Sequence, residues 1–189
     1  MVGGTDANNG QVASAILYDP AGGTWSSAGV LSPPPNGPIV ALPDGGALVV
    51  GEAYYDTATD KWAVQASHRF DPSRPTWTKV GAMVQSRQSP FVAGLADGRV
   101  LVAGGAIGVE FTDKGKVTTL TKSAEIFDPA TNSWSATAAM PSVRMAGEAL
   151  LLQDGSVLLA GGGLGEQGEL STPGGYPVIV LASAVRYVP

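Results

Sequence analysis

The 189-residue sequence predicts an all-β fold assembled from repeated antiparallel units. Three observations carry that expectation. Gly (26 residues) and Pro (14) are abundant and only 14% of residues are charged, which suits many short strands and tight turns better than solvent-facing helices. Asp-Gly pairs at Asp44-Gly45, Asp97-Gly98 and Asp154-Gly155 each separate two apolar runs, the pattern of a tight hairpin. An aromatic residue, Asp-Pro and a Trp recur together in three places, and a register kept over three copies is a repeat.

The elements are clearest between Ser123 and Gly163. Ser123 to Phe127 alternates small or polar with apolar residues and stops at Asp128-Pro129, where Pro fixes φ and Asp can bond its own backbone. Trp134 opens a second short strand. Ala149 to Leu152 forms a third, too apolar to face water, and Val157 to Ala160 returns from the turn Gln153 to Ser156. Gly161 to Gly163 then allow a sharp turn or a close approach. The same pattern occupies Ser67 to Gly105 and Ser14 to Glu52. Tyr18, Phe70 and Phe127 each sit seven residues before Trp25, Trp77 and Trp134, and these Trp are separated by 52 and 57 residues. Gly45, Gly98 and Gly155 are separated by 53 and 57.

These units resemble kelch repeats, the blades of kelch-type β-propellers, in the bacterial form related to the galactose oxidase propeller. The residues carrying the resemblance are Phe127, Asp128, Pro129 and Trp134, the step from Met140 to Arg144, Asp154-Gly155 and the Gly pair. The first copy departs from it, lacking the Arg and having Glu52 in place of the second Gly of its pair. The His that often follows the Arg is absent from every copy. The resemblance implies four strands per blade. First strands are Ile39–Leu42, Phe91–Ala96 and Ala149–Gln153; second strands are Ala47–Gly51, Arg99–Gly104 and Ser156–Gly161. Third strands end at Tyr18, Phe70, Phe127 and Tyr187, and fourth strands begin at Trp25, Trp77 and Trp134. In the family the first two strands lie nearest the propeller axis.

The chain is expected to be a single kelch-repeat region over 1–189, with repeats at about 14–52, 67–105 and 123–163 and partial copies at 1–4 and 182–189. That makes about three and a half repeats, whereas propellers typically close with four to eight blades. An open arc leaves two apolar faces bare. Three explanations stand side by side: a fragment with missing flanking blades, a homo-oligomer in which a second copy completes a six- or seven-bladed ring, or a small four-bladed ring.

The links between second and third strands are the longest. Glu52 to Ala66 reads as an inserted hairpin turning at Thr57 to Asp60, and Ala106 to Lys122 as another turning at Asp113-Lys114-Gly115. Gly163 to Leu181 is rich in Gly and Pro, with a long strand expected from Val178. Matching placement in successive repeats marks these links as the variable surface.

Several function classes are disfavoured. A net charge of −5 with no Lys/Arg cluster argues against a nucleic-acid partner. No run of eighteen apolar residues is present, so no membrane span is expected. The absence of cysteine removes thiolate nucleophiles, disulfides and thiolate metal sites together. Low charge with abundant Ser, Thr and Gly leans toward an extracellular or periplasmic setting, although no signal peptide is visible. The copper site of galactose oxidase needs two histidines and a cysteine-crosslinked tyrosine; this chain has His68 alone and no Cys, so no cofactor or metal is expected.

Among residues that could carry chemistry, His68 reads as a plain strand residue. Asp19, Asp71, Asp128, Asp44, Asp97 and Asp154 recur in every copy and read as turn residues, since an active site would appear once. Glu125 has no acidic counterpart at Arg69 or Leu17, and no catalytic residue is assigned. Arg87 and Arg144 share one repeat position, which the resemblance places on the link between blades, bonding neighbouring backbone carbonyls. Trp25, Trp77 and Trp134 read as packing residues between blades. The candidate partner contacts are Tyr54, Tyr55 and Trp62 in the first insertion, Glu110 and Asp113 in the second, and Glu166 and Glu169 in the third. Core burial of Trp62 stands as an equal alternative. Two functions follow from the resemblance: a non-catalytic scaffold presenting loops to a protein or glycan partner, or the propeller segment of a larger carbohydrate-active enzyme whose catalytic residues lie elsewhere.

Overall fold

The computed structural model describes residues 2–189 apart from 5, 9, 33–36, 57–60, 65, 113–114 and 165–178. The described residues form nineteen strands and no helix, so no helix here is long and apolar enough to cross a membrane.

The first strands are β1 (Ser14–Asp19) and β2 (Thr24–Val30), an antiparallel pair. Next come β3 (Ile39–Ala41) and β4 (Ala47–Val49), then a hairpin of β5 (Ala53–Asp56) and β6 (Lys61–Val64), then β7 (His68–Asp71) and β8 (Thr76–Lys79). The order repeats with β9 (Phe91–Gly94), β10 (Val100–Ala103), the hairpin β11 (Ala106–Thr112) and β12 (Gly115–Leu120), β13 (Ala124–Asp128) and β14 (Ser133–Thr137). Last are β15 (Glu148–Leu151), β16 (Val157–Ala160), the short pair β17 (Gly163–Leu164) and β18 (Ile179–Val180), and β19 (Ala184–Tyr187). The long strand expected from Val178 is therefore two separate strands, since β18 pairs with β17 and β19 with β16.

Leaving the hairpins aside, the chain makes two four-stranded meanders, β3-β4-β7-β8 and β9-β10-β13-β14. A three-stranded sheet, β15-β16-β19, follows them, and the pair β1-β2 precedes them. Val2 bridges Ala15 beside that pair, and the Gly3 amide donates to the Ser14 carbonyl as Gly104 and Gly161 donate to Ser123 and Ser183. Short turns hold each meander. Gly45, Gly98 and Gly155 adopt φ of 81°, 87° and 82°, and the preceding Asp accepts a backbone amide two residues on, at 2.9, 3.1 and 3.0 Å. Asp19, Asp71 and Asp128 do the same at the other turn, at 2.9, 2.9 and 2.8 Å.

Each sheet is apolar on both faces, so the core lies between sheets. Between the first and second sheets Ala15, Ala28 and Leu31 meet Phe70 and Trp77. Between the second and third, Leu42, Leu48, Val50, Val80 and Met83 meet Val100, Val102, Phe127 and Trp134. Between the third and fourth, Phe91, Leu101, Ile126 and Met140 meet Val157, Leu159, Val185 and Tyr187. Tyr18–Trp25, Phe70–Trp77 and Phe127–Trp134 are cross-strand partners, with ring centroids 4.9, 5.1 and 5.2 Å apart and tilts of 44°, 43° and 50°. Three copies of one geometry are present, but their environments differ. Trp77 and Trp134 pack on the sheet before them, and the Trp77 indole N–H donates to the Ala28 carbonyl at 2.8 Å. Trp25 corrects the packing expectation: it is 59% exposed, because no described sheet lies in front of β1-β2.

Trp134→Ala is expected to cost about 3 kcal/mol, the low end for a large-to-small core change because the ring is only half buried. Trp25→Ala under dilute conditions should stay within about 0.5 kcal/mol. Urea unfolding followed by circular dichroism measures both, and equal losses would contradict the assignment.

Candidate functional site

Strand direction alternates along each meander, so all links of one kind leave the sheets at the same end. The Asp-Gly and Asp-Pro turns form one rim. The inserted hairpins and the connections from one sheet to the next form the other. In chain order β5-β6, β11-β12 and β17-β18 all stand on that second rim, each between the second and third strands of its sheet.

The base of this rim is stiff. Gly104-Gly105 and Gly161-Gly162 adopt φ of 66° then 96°, and 66° then 88°, and Gly3-Gly4 adopts 66° then 116°. A Cβ on Gly105 would stand 2.7 Å from the Gln88 carbonyl oxygen, so a side chain has no room at that position. Backbone bonds cross between sheets here, from the Ala53 amide to the Arg87 carbonyl at 2.9 Å and from the Gly105 amide to the Arg144 carbonyl at 2.8 Å.

Arg87 is fully buried on this rim. It donates to the carbonyls of Gly104 and Ser123 at 3.1 and 2.9 Å and to Gln85 O at 3.1 Å, and pairs with Glu125 at 2.7 Å. Burial pushes the Arg87 pKa down while the Glu125 carboxylate opposes that shift. Glu125 also accepts the Val84 and Gln85 amides at 2.7 and 3.0 Å, fixing the connection that enters the third sheet. Its ladder partner is Val102, and the matching position in the second sheet is His68, opposite Val49. The counterparts of Glu125 are therefore Ile16, His68 and Val185, one residue away from Leu17 and Arg69. None of the three is acidic. Arg144, also buried, meets the Gly161 and Ser183 carbonyls at 3.4 and 3.3 Å, the same pair of positions that Arg87 reads. With Val185 in place of Glu, it has no carboxylate partner among the described residues, and burial lowers its pKa.

Glu52 replaces the second Gly of the pair. Burial pushes its carboxyl up, partly opposed by a hydrogen bond from the Ser89 amide. His68 is half buried in β7 with Nδ1 3.0 Å from Ala66 O, and burial pushes its pKa down. Among the described residues no group of three His, Asp or Glu is placed to hold a metal.

The candidate contact residues divide by position. Tyr54 and Tyr55 lie on β5 and Trp62 on β6, with Tyr55 and Trp62 direct partners in the ladder. Glu110 lies on β11 opposite Val117. Asp113, Glu166 and Glu169 fall outside the described residues. Along the joint between the second and third sheets lies a polar cleft of about 380 Å³, running from Asp44 and Asp71 at the turn rim past Arg69 and Thr78 to Lys79 and Val80, with Asn132 across it. There Arg69 pairs with Asp44 and donates to Pro129 O at 2.6 Å and Asn132 Oδ1 at 3.0 Å, tying neighbouring sheets together. Sequence reasoning passed over Arg69 and Glu125. The available signal for Glu125 was an acidic residue among apolar neighbours ahead of the Asp-Pro turn.

A family model of the Kelch motif matches residues 89–141. The matched stretch spans β9 to β14, one complete four-stranded sheet with its inserted hairpin. Residues 89–141 therefore carry a Kelch motif, and the all-β sheets on either side fit a kelch-repeat propeller. The sheets are consistent with propeller blades, the second and third having all four strands, and the Kelch motif suggests a scaffold for protein interaction.

Two measurements probe the rim. Glu125→Ala leaves Arg87 buried without a counter-charge and should cost about 3–5 kcal/mol. Glu125→Gln also removes the counter-charge but keeps an oxygen acceptor for the amides and the guanidinium, so it should cost less than Glu125→Ala, by about 1–3 kcal/mol in urea unfolding. For Glu52 the folded pKa lies above the unfolded one, so the charged form weakens the fold at neutral pH and the penalty disappears as pH falls through the ordinary Glu value of about 4.3. Glu52→Gln should raise Tm at pH 7 with the gain closing near pH 4; a gain independent of pH would point to another cause.

Proposed function

We propose that this chain is a non-catalytic binding scaffold whose partner is a protein held by the inserted hairpins. The observation that supports it most directly is the placement of β5-β6, β11-β12 and β17-β18 on one rim of consecutive blades, above a base tied by buried arginines and backbone bonds. Variable segments on a rigid frame are the usual site of recognition. The first insertion carries Glu52, Asp56 and Asp60 against Lys61, and the third carries Glu166 and Glu169 alone, so each is net −2. In the second, Glu110 and Asp113 are outnumbered by Lys114, Lys116 and Lys122, which leaves it net +1 and the three insertions together net −3. A partner with a basic surface matches this rim, with Tyr54, Tyr55 and Trp62 as aromatic anchors of the kind found at interface centres.

The test is a panel of basic peptides and neutral oligosaccharides titrated against the protein by calorimetry at two salt concentrations. A basic peptide should bind, more weakly at high salt, and Tyr55→Ser with Trp62→Ser should weaken it by at least about tenfold, roughly 1.4 kcal/mol. Binding that survives this double change but is lost on altering the Asp44–Arg69 cleft would move the site to the other rim. Oligosaccharide binding alone would replace the protein partner with a glycan.

A further inference from the structure

Two features of the joint between the second and third blades are not accounted for by packing. The first is the cleft of about 380 Å³, with Asp44, Arg69, Asp71, Thr78 and Val80 on one side and Asn132 on the other. Both sheets that border it have all four strands. The second is the Trp134 indole N–H, which is shut away from solvent and has no hydrogen-bond partner among the described residues. At the same repeat position the Trp77 indole donates to the Ala28 carbonyl at 2.8 Å. Ala28 and Val80 each lie three residues after the Trp of their own blade, so the acceptor expected for Trp134 is on Val80, which lines the cleft. Trp134 Cδ1, the atom bonded to the indole nitrogen, stands 4.0 Å from where a Cβ on Gly81 would be, and the Gly81 amide donates to the Asn132 carbonyl at 3.2 Å. The orphaned donor is therefore at the Val80 end of the cleft. A buried donor without an acceptor is destabilising, and native folds rarely keep one unless something else supplies the acceptor.

The walls of the cleft offer hydrogen bonds of both signs. Asp71 uses Oδ1 for the Ser73 amide and hydroxyl, at 2.9 and 2.6 Å, and keeps acceptor capacity at Oδ2. Asn132 accepts from Arg69 through Oδ1 at 3.0 Å, which leaves its amide N–H groups as donors. The Thr78 hydroxyl serves as either, and the Trp134 indole only donates. The formal charges of Asp44, Asp71, Arg69 and Lys79 cancel, so the walls favour neither a cation nor an anion. A cation would also leave the Trp134 and Asn132 donors unanswered, whereas hydroxyl groups donate and accept at once. At about 380 Å³ the cleft is at the small end of ligand sites, which run from roughly 300 to 1,000 Å³. We propose that it binds one unit of a neutral sugar, with Trp134 and Asn132 donating to hydroxyl oxygens of the ring and Asp71 accepting from its hydroxyl groups. The site shares no side chain with the inserted hairpins, so it stands or falls apart from the protein-binding reading.

The Trp134 indole peak in nitrogen–proton correlation NMR spectra of the whole chain, assigned by its loss in Trp134→Phe, reads the cleft directly. Titration with glucose, galactose and mannose, and with oligosaccharides of each, should move this peak along a saturable curve while the Trp77 indole peak stays in place. A tighter response to an oligosaccharide than to its monosaccharide supports a glycan as the source, and an equal response supports the free sugar. Thr78→Val, at an exposed position on β8, should weaken binding by about three- to tenfold, the loss of one hydrogen bond. Trp134→Phe, which keeps a ring in the joint, should weaken it by a similar factor when followed through the Thr78 amide; Thr78→Val carries the test alone if the ring change unfolds the blade. Equal movement of the Trp77 and Trp134 peaks would mean an adventitious additive only. That result, a Trp134 peak unmoved by every sugar, affinity unaltered in Thr78→Val, or saturation by lysine amide in place of the sugars would each overturn the proposal.

Discussion

The joint in which Val40, Leu42 and Leu48 of one sheet meet Val100, Phe127 and Trp134 of the next sets the terms for the rest of the molecule. A meander with two apolar faces cannot bury either by itself, and a turn of two residues cannot fold it back on itself. The remedy is another sheet of the same kind at about the 10 Å spacing that stacked sheets prefer. Alanine and glycine allow that approach where strands come closest, as at Ala28 and Gly29 beside Trp77. Burial then repeats along the chain as it does in other repeat architectures, with each unit stabilised by its neighbours.

Polar chemistry is concentrated toward the ends of the sheets, because the apolar centres of the joints have little room for it. At the turn rim Arg69 reaches from one blade to the next blade's turn. At the hairpin rim Arg87 enters the interior, where its charge is tolerated because Glu125 and three carbonyls surround the guanidinium. Arg144 occupies the same position with longer bonds and no described carboxylate, so two residues of one repeat position differ in how well they are satisfied. Such differences are tolerated because the blade fold rests on the apolar joints. A stiff base under inserted hairpins is also what a recognition surface needs, since ordering costs on binding fall when the frame is already fixed.

Much of the fold was legible in the residues. Tyr18, Phe70 and Phe127 keep one distance to their Trp because the register of a turn-linked strand pair allows no other, and the Asp-Gly turns mark the other hairpin of each sheet. The placement of the hairpin insertions was legible too, since they interrupt an otherwise constant order. The site was less so. Glu125 was compared with Arg69 and Leu17, yet the ladder pairs it with Val102 and makes His68 its counterpart, because a two-residue side-chain period turns an error of one residue into the opposite face.

Periodicity and turn chemistry by themselves determined the strands and their pairing partners, because those depend on neighbours within a few tens of residues. Tertiary structure alone decided how each of the three Trp positions is packed among the described residues and which arginine meets a carboxylate. Those outcomes depend on what stands across a joint, and no local stretch of sequence encodes the surface that will face it.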